Sequence, residues 1–308
     1  MLSKRIIFMG TPEISSVYLN SLISSKYNIV AVYSQPARKK GRGMHIQESP
    51  VQVIAKKNSI QTFTPTEFVS KISKKEIEEL HPDLIIVMGY GLKLPQYILQ
   101  LPTLGCFNIH VSLLPRWRGA APIEHALLNG DKETGVTIFK LVQEMDAGPI
   151  LGKDVISVDQ HMNKKELTEK LNKLGIELLI SILPKIFNED IFLTPQDDSK
   201  VTYAHKISSS TRLLDFNNEV KTVYNKIRAF SPWPSAWFLL NNERIKIIKS
   251  SLVEGEFEVS AILNTKFHIG CKNGKICPEI LQREGKKPVQ IEDFLRGFEF
   301  IVGTKVNA

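Results

Sequence analysis

The sequence is poor in features that would mark several classes of protein. It has only three cysteines among 308 residues, and none of them forms a CxxC pair. We therefore expect neither a disulfide framework nor a zinc site, and we expect a reducing, cytoplasmic location. No apolar run approaches the ~20 residues that a membrane-spanning helix needs. The basic N-terminus has a short apolar run without a small-residue cleavage site, which predicts a first strand rather than a signal peptide.

The composition that remains is ordinary for a globular protein, with an excess of basic residues. Hydrophobic residues make up 43% of the chain and charged residues 23%, so we do not expect disorder. A chain of this length is long enough for two domains. The formal net charge of +8 favours a polyanionic partner, although many enzymes are as basic, and charge alone does not decide the question.

The first half of the chain alternates apolar strands with helices. The predicted strands are KRIIFMG, YNIVAVYSQ, IQTFTP and DLIIVMGYG, and Thr11 and Ser49 are candidate N-caps because a proline follows each. This alternation predicts a doubly wound, mostly parallel, Rossmann-like α/β sheet, which binds ligands beyond the carboxyl ends of its strands. The turn MGTPE contains no GxGxxG, which argues against a dinucleotide cofactor.

The second half changes character. A long amphipathic helix is predicted from Asn163 onwards, and residues 191–208 have little periodicity. After residue 209, short strands broken by Asn, Gly and Pro predict a small β-barrel. We therefore expect a catalytic domain over 1–190, a linker over 191–208 and a barrel domain over 209–308.

Three polar residues in and after apolar strands suggest a catalytic site. Asn108 and His110 are two residues apart in CFNIHV, so in a strand they share one face. Asp146 follows a second apolar strand, in QEMDAGP. If the ends of these two strands are neighbours, an amide, an imidazole and a carboxylate converge. Each residue alone is explained as a satisfied polar group or a turn residue. The three together, without metal-ligand spacing, favour acyl-type chemistry.

A basic loop follows the second predicted strand. Its four cations lie within a glycine-bearing hexapeptide: Arg38, Lys39, Lys40 and Arg42. A solvated surface loop is the simpler interpretation. Its place after a strand end favours a grip on a phosphate backbone.

The stretch NIHVSLLPRWRGAAPIEHALLNGDKETGVTIFKLVQEMDAGPIL resembles the signature of the methionyl-tRNA formyltransferases. Five other segments are similar to the same family: FMGTPEISS, SQPARKKGRG, MGYGLKLP, VTYAHKIS and IRAFSPWPSAW. The resemblance covers nearly the whole chain and weakens towards the C-terminus. It implies transfer of a formyl group from 10-formyltetrahydrofolate to the α-amine of methionine on initiator tRNA, without a metal.

The resemblance also implies roles for residues. The family's catalytic residues fall on Asn108, His110 and Asp146. Its folate-binding segments fall on Ser112, Leu113, Leu114 and Pro115, together with Tyr90 and Gly91. Its tRNA-contacting loop falls on Arg38, Lys39, Lys40 and Arg42, and its OB-like barrel falls on the C-terminal domain. We expect a monomer.

The chain departs from the family at Val111, where a small residue, commonly glycine, is usual. Val111 faces away from His110 by alternation, so we expect altered packing rather than lost activity. Lys39 and Lys40 also stand where Pro-Ala is common. The alternatives are a folate-dependent formyltransferase or hydrolase acting on a small molecule, such as glycinamide ribonucleotide or an amino-sugar nucleotide, and a tRNA-binding module without chemistry. The intact Asn108, His110 and Asp146 speak against the last.

Overall fold

The computed structural model describes residues 4–40, 45–68 and 71–307. The chain divides into two compact units, each built from three separate segments. The first unit comprises Met1–Arg118, Gly135–Ile156 and Lys170–Tyr203, and the second comprises Gly119–Thr134, Ser157–Glu169 and Ala204–Ala308. No described helix combines the length and the apolar character that crossing a membrane requires.

The chain up to Phe187 forms ten strands and six helices among its described residues. The strands are β1 (Ile6–Gly10), β2 (Ile29–Tyr33), β3 (Arg38–Lys40), β4 (His45–Gln47), β5 (Thr62–Phe63), β6 (Leu84–Met88), β7 (Cys106–His110), β8 (Arg118–Gly119), β9 (Glu133–Lys140) and β10 (Ile150–Ser157). The helices are α1 (Glu13–Ser24), α2 (Pro50–Lys57), α3 (Lys71–Glu79), α4 (Gln96–Leu99), α5 (Pro122–Leu128) and α6 (Lys164–Phe187).

One seven-stranded sheet has the order β10-β9-β7-β6-β1-β2-β5. Five strands that are adjacent in the sheet pair in parallel, in the order β7, β6, β1, β2 and β5. Strand β9 is antiparallel to β7. Every residue of β1, β6 and β7 is buried, as expected where both faces of a parallel sheet are covered. The predicted doubly wound, mostly parallel sheet is confirmed.

Helix α6 occupies the predicted amphipathic stretch. Within the first unit it packs closely on α1, where the hydroxyl of Tyr18 donates to the Leu171 carbonyl over 3.4 Å. A Cβ at Gly175 would lie 2.0 Å from that hydroxyl oxygen, so only glycine allows this approach. Burial raises the pKa of Tyr18 above its ordinary value.

The rest of the chain consists mainly of antiparallel strands. It contains β11 (Tyr203–Ala204), β12 (Ala236–Leu240), β13 (Glu243–Glu254), β14 (Ile269–Cys271), β15 (Gly274–Arg283), β16 (Val289–Gln290), α7 (Val220–Phe230), α8 (Ile291–Gly297) and 3-10 turns at Asp198–Lys200 and Ser210–Arg212. Strands β12-β13-β15-β14 form one sheet, and β16 pairs with β15. Phe238 of β12 packs edge to face against Phe216, with ring centroids 5.5 Å apart. This arrangement agrees with the predicted small barrel.

Two predicted helix caps have different outcomes. Ser49 is the N-cap of α2, since its Oγ accepts from the Gln52 backbone N–H (3.1 Å) and its own N–H donates to the Gln52 Oε1 (2.8 Å). The Thr11 prediction is wrong, because Pro12 is the N-cap of α1. The Thr11 hydroxyl instead donates to the Tyr90 carbonyl and accepts from the Gln35 N–H.

Candidate active site

The side chains of Asn108 and His110 lie on one face of β7, as the two-residue spacing predicts, and are only 9% and 6% exposed. The Nε2 atom of His110 lies 2.8 Å from the Trp117 carbonyl oxygen. A carbonyl can only accept, so this nitrogen carries a proton. The other ring nitrogen, Nδ1, lies 3.8 Å from the Oδ2 atom of Asp146. The imidazole is therefore oriented from both sides.

The structure brings Asp146 to His110 by a route that the sequence argument did not foresee. Strands β7 and β9 are antiparallel, with His110 opposite Thr137 and Phe107 opposite Lys140. Their carboxyl ends therefore lie at opposite edges of the sheet, so the condition of neighbouring strand ends is not met. Asp146 reaches the imidazole because the loop 141–149 folds back. A Cβ at Gly148 would lie 1.7 Å from the Lys140 carbonyl oxygen, so the return requires glycine.

The loop after β7 places the carbonyl that orients His110. The Ser112 hydroxyl donates to the Arg116 carbonyl over 2.6 Å. The Thr137 hydroxyl donates to the Ser112 carbonyl (2.7 Å) and accepts from the Leu114 N–H (3.1 Å). Trp117 has a left-handed backbone with φ of 62°, and its N–H donates to the Thr202 hydroxyl over 2.9 Å. These bonds fix the backbone that carries the Trp117 carbonyl.

The predicted folate-binding residues fall into two groups. Ser112 and Leu114 are fully buried, whereas Leu113 and Pro115 are half-buried. Tyr90 and Gly91 follow β6 on the opposite side of β7 from β9. Tyr90 is buried against Phe68, with ring centroids 6.1 Å apart, and burial raises the pKa of Tyr90 above its ordinary value. Gly91 is exposed, with φ of 85°.

The basic loop contains a short antiparallel hairpin of β3 and β4. Arg38 and Lys39 are exposed, and Arg38 donates to the Gln35 Oε1 over 2.8 Å. Lys40 lies opposite His45 in this hairpin. Arg42 belongs to residues 41–44, outside the described part of the chain.

A cavity of about 510 Å³ is bordered by Gly105, just before β7, by the end of β9, by α4 and the residues after it, and by the first half of the loop 141–149. The Gln143 side chain lines it, and the amide nitrogen of Gln143 is buried without a hydrogen-bond partner among the described residues. The lining also includes Lys140 and Glu144. A ligand here would adjoin the loop that carries Asp146.

Gln196 contacts the site from the predicted linker, and sequence reasoning missed it. Its side-chain amide nitrogen donates to the carbonyls of Asp146 and Gly148, each over 2.8 Å. Because these contacts join residues about fifty positions apart in the chain, no local pattern signals them. Only the folded structure reveals these contacts of Gln196.

The arrangement suits acyl chemistry. An amide donor, a doubly oriented imidazole and a carboxylate lie in a nearly buried site, where electrostatic interactions with a developing charge are stronger than in water. Within residues 4–40, 45–68 and 71–307, no three His, Cys, Asp or Glu residues form a group that could hold a metal ion.

Comparison with known proteins gives a consistent set of relatives. Models described as formyl transferase and as formyl transferase, C-terminal domain, match residues 4–183 and 206–299. A methionyl-tRNA formyltransferase of Brucella abortus (strain S19) is 40% identical over 298 residues, covering 95% of this chain and 97% of the relative. The fold is similar to that of WlaRD, a sugar 3N-formyl transferase solved with dTDP and 5-N-formyl-THF (TM-score 0.65, 21% identity, 93% of this chain, 100% of that chain). It is also similar to HypX from Aquifex aeolicus with tetrahydrofolic acid (TM-score 0.65, 18% identity, 95% of this chain, 47% of that chain).

Proposed function

Since this chain belongs to the formyl transferase family, among its methionyl-tRNA formyltransferases, we propose that Asn108, His110 and Asp146 carry out the formyl transfer. The donor is 10-formyltetrahydrofolate and the acceptor is the α-amine of methionine on initiator tRNA. The observation that carries the proposal is the fixed imidazole of His110. It is held by the Trp117 carbonyl at 2.8 Å, faces Asp146 at 3.8 Å and shares a strand face with Asn108.

The reaction begins when the methionyl amine attacks the formyl carbon and forms a C–N bond. The formyl oxygen becomes an oxyanion, to which the Asn108 amide donates a hydrogen bond. In this mechanism His110 is the imidazolium, which carries a proton on both ring nitrogens. Its Nε2–H is already bound to the Trp117 carbonyl, so it donates from Nδ1. The separation of 3.8 Å between Nδ1 and Asp146 is too long for a direct hydrogen bond, which leaves the Nδ1–H available to the substrate. A preorganised donor of this kind is worth ~10²–10³ in rate.

Two proton transfers complete the reaction. The attacking amine loses a proton to Asp146, directly or through water. The intermediate then collapses, the bond from carbon to N10 breaks, and N10 takes the Nδ1 proton of His110. A proton passing from Asp146 to His110 restores the starting state. General acid–base assistance of this type contributes ~10²–10⁴ in rate.

We propose that the folate lies against the backbone of residues 112–115, which follow the carboxyl end of β7. WlaRD and HypX were solved with folates, which supports the same ligand class here. Tyr90 and Gly91 remain proposed contacts.

The tRNA is proposed to bind mainly through its phosphates. Arg38 and Lys39 are exposed on β3, and the net charge of +8 adds a general attraction. Lys40 and Arg42 complete the proposed contact, and residues 209–308 supply the second tRNA-binding surface, with 1–190 as the catalytic domain. We propose that the protein acts as a monomer in the cytoplasm.

Formyl transfer to different acceptors tests the proposal. Radiolabelled 10-formyltetrahydrofolate is supplied with charged initiator Met-tRNA, charged elongator Met-tRNA or free methionine, and acid-precipitable label is counted. We expect transfer to the initiator tRNA alone, and its loss in His110→Ala. His81→Asn is the matched control, because His81 is exposed and its left-handed φ of 43° suits asparagine. Formate release, or formylation of a small amine without any tRNA product, would assign the chain to a different folate enzyme.

A further inference from the structure

We propose that Gln196 is a positioning residue for catalysis, which sets the distance between Asp146 and His110. The inference rests on the proposed function, because it assumes that Asp146 takes part in the reaction. Gln196 lies after α6, in the segment that the sequence predicts to be a linker.

The two hydrogens of the Gln196 amide are directed to the loop that carries Asp146. The nitrogen donates to the Asp146 carbonyl and to the Gly148 carbonyl, each over 2.8 Å. Asp146 itself has a left-handed backbone, with φ of 51°, which a residue other than glycine adopts only when its surroundings hold it. The paired hydrogen bonds are such a hold.

The orientation of the Gln196 amide is fixed from its other end. Its Oε1 accepts from the Arg118 Nε over 3.0 Å and from the Arg118 Nη2 over 2.8 Å. A guanidinium can only donate, so the amide oxygen must face Arg118 and the amide nitrogen must face the loop. Arg118 is only 5% exposed. It also contacts the Asp198 carboxylate at 3.2 Å, but that aspartate side chain is 86% exposed, so its contribution is small.

The same segment also holds the second anchor of His110. Arg118 directly follows Trp117, whose carbonyl accepts from the imidazole. Thr202 accepts from the Trp117 N–H through its hydroxyl and from the Arg118 N–H through its carbonyl, both over 2.9 Å. Thr194 pairs with Ile150, just beyond the Asp146 loop. Residues 194–202 therefore connect the two loops that determine the position of the imidazole.

The geometry predicts a specific kinetic effect. Gln196→Glu keeps the length of the side chain and its contact with Arg118, but it places a carboxylate oxygen against two carbonyls. The Asp146 loop should shift, while the proposed folate contacts at residues 112–115 and the basic hairpin keep their residues. A displacement of about 1 Å at a catalytic group can cost ~10² in rate. We expect kcat to fall roughly 10- to 100-fold, with little change in KM for either substrate.

The test is a double-mutant cycle of Gln196→Glu and Asp146→Asn, measured as kcat and KM for formylation of charged initiator tRNA. If Gln196 acts through Asp146, Gln196→Glu causes no further loss in the Asp146→Asn background. Gln196→Ala, which removes the donor without adding a charge, should lower kcat in the same direction. Gln61→Glu is the matched control, since Gln61 is exposed in the same unit.

The outcomes separate this inference from the function on which it rests. A Gln196→Glu protein with the kcat of Gln61→Glu, or one whose loss adds fully to that of Asp146→Asn, overturns the positioning role. A change in KM alone overturns it as well. If Asp146→Asn itself keeps the parent kcat, the catalytic role of Asp146 fails instead.

Discussion

The strands of the first unit and those of the second bury their residues in different ways. All five residues of β6 are buried, whereas buried and half-buried residues alternate along β12. A parallel strand covered on both faces leaves polar groups mainly at its end and in the following loop, and His110 lies at such an end. A strand with one solvated face can carry charge along its length, as β13 does with Arg244 and Lys246. The comparison teaches that the first unit suits buried chemistry and the second suits a charged surface.

Alanine substitutions at adjacent positions in β12 and β6 test this difference in burial, and they should have the largest effects on stability. Phe238→Ala in β12 should lower the free energy of unfolding by about 3–5 kcal/mol, because Phe238 is fully buried. Leu239→Ala, at the half-buried neighbouring position, should lower the free energy of unfolding much less. In β6, Ile85→Ala and Ile86→Ala should each cost about 2–5 kcal/mol, since both are buried. Urea unfolding measures all four; equal losses at Phe238 and Leu239 would contradict the alternation.

A substitution in the site should affect the reaction rather than the fold. Asn108→Ala is expected to lower kcat by ~10²–10³, because it removes a proposed oxyanion donor. The formylation assay measures the rate, and thermal melting checks the fold. Asn188→Ala, at an exposed position, is the control and should keep the parent rate. An Asn108→Ala protein as active as this control would remove the amide from the mechanism.

The cap of α2 tests a buried polar group that serves structure alone. Ser49→Ala removes the oxygen that accepts from the Gln52 N–H and also loses the bond to the Ser34 hydroxyl. We expect a loss of about 0.5–2 kcal/mol in the free energy of unfolding, with kcat unchanged. Urea unfolding and the formylation assay measure the two quantities. A lower kcat in a fully folded Ser49→Ala protein would contradict the purely structural role.

A single charge on the hairpin should have a smaller, salt-dependent effect. The logarithm of the tRNA association constant should fall linearly with the logarithm of salt concentration, and Lys39→Ala should reduce the slope by about 1. Filter binding at several salt concentrations measures the slope. Lys170→Ala, exposed on α6, is the control and should leave it unchanged. A binding constant independent of salt would refute the phosphate-based contact.

The smallest expected effect is the pH dependence of His268 in the second unit. Burial, with lesser contributions from Lys275 and Lys266, lowers the pKa of His268. The unfolded chain therefore takes up this proton at a higher pH than the folded protein. The contribution of neutral His268 to the free energy of unfolding is fully present above the ordinary pKa of ~6.5. It is lost as the pH falls through the lower, folded value, since protonation also removes the acceptor for the Asn264 amide. His268→Gln should show a weaker loss of stability in urea unfolding between pH 7 and 5; an unchanged pH profile would contradict this assignment.

Much of this arrangement follows from local patterns in the sequence. The two-residue spacing of Asn108 and His110 predicts their shared face, and the strand–helix alternation predicts the parallel sheet; both are confirmed by the structure. The family and its formyl transfer activity are confirmed by the relatives. Local patterns succeed here because strand periodicity fixes where side chains point.

Features that depend on distant contacts could not be predicted in the same way. Thr11 precedes Pro12 as an N-cap candidate, but its hydroxyl binds the distant Tyr90 carbonyl instead. Asp146 approaches His110 because its loop folds back along β9, although the strand ends lie apart. Gln196 contacts that loop from fifty residues away. The roles proposed for the site residues and the domain boundaries stay predictions.

The central claim is that His110 acts in the chemical step. It is tested most directly by the single-turnover rate of formylation with saturating charged initiator tRNA and 10-formyltetrahydrofolate, for the parent and for His110→Ala. We expect the rate to fall by at least ~10² in the variant. The substitution removes the imidazole that donates to the oxyanion and that supplies the proton taken by N10 of the folate. A rate within a few-fold of the parent would contradict the account.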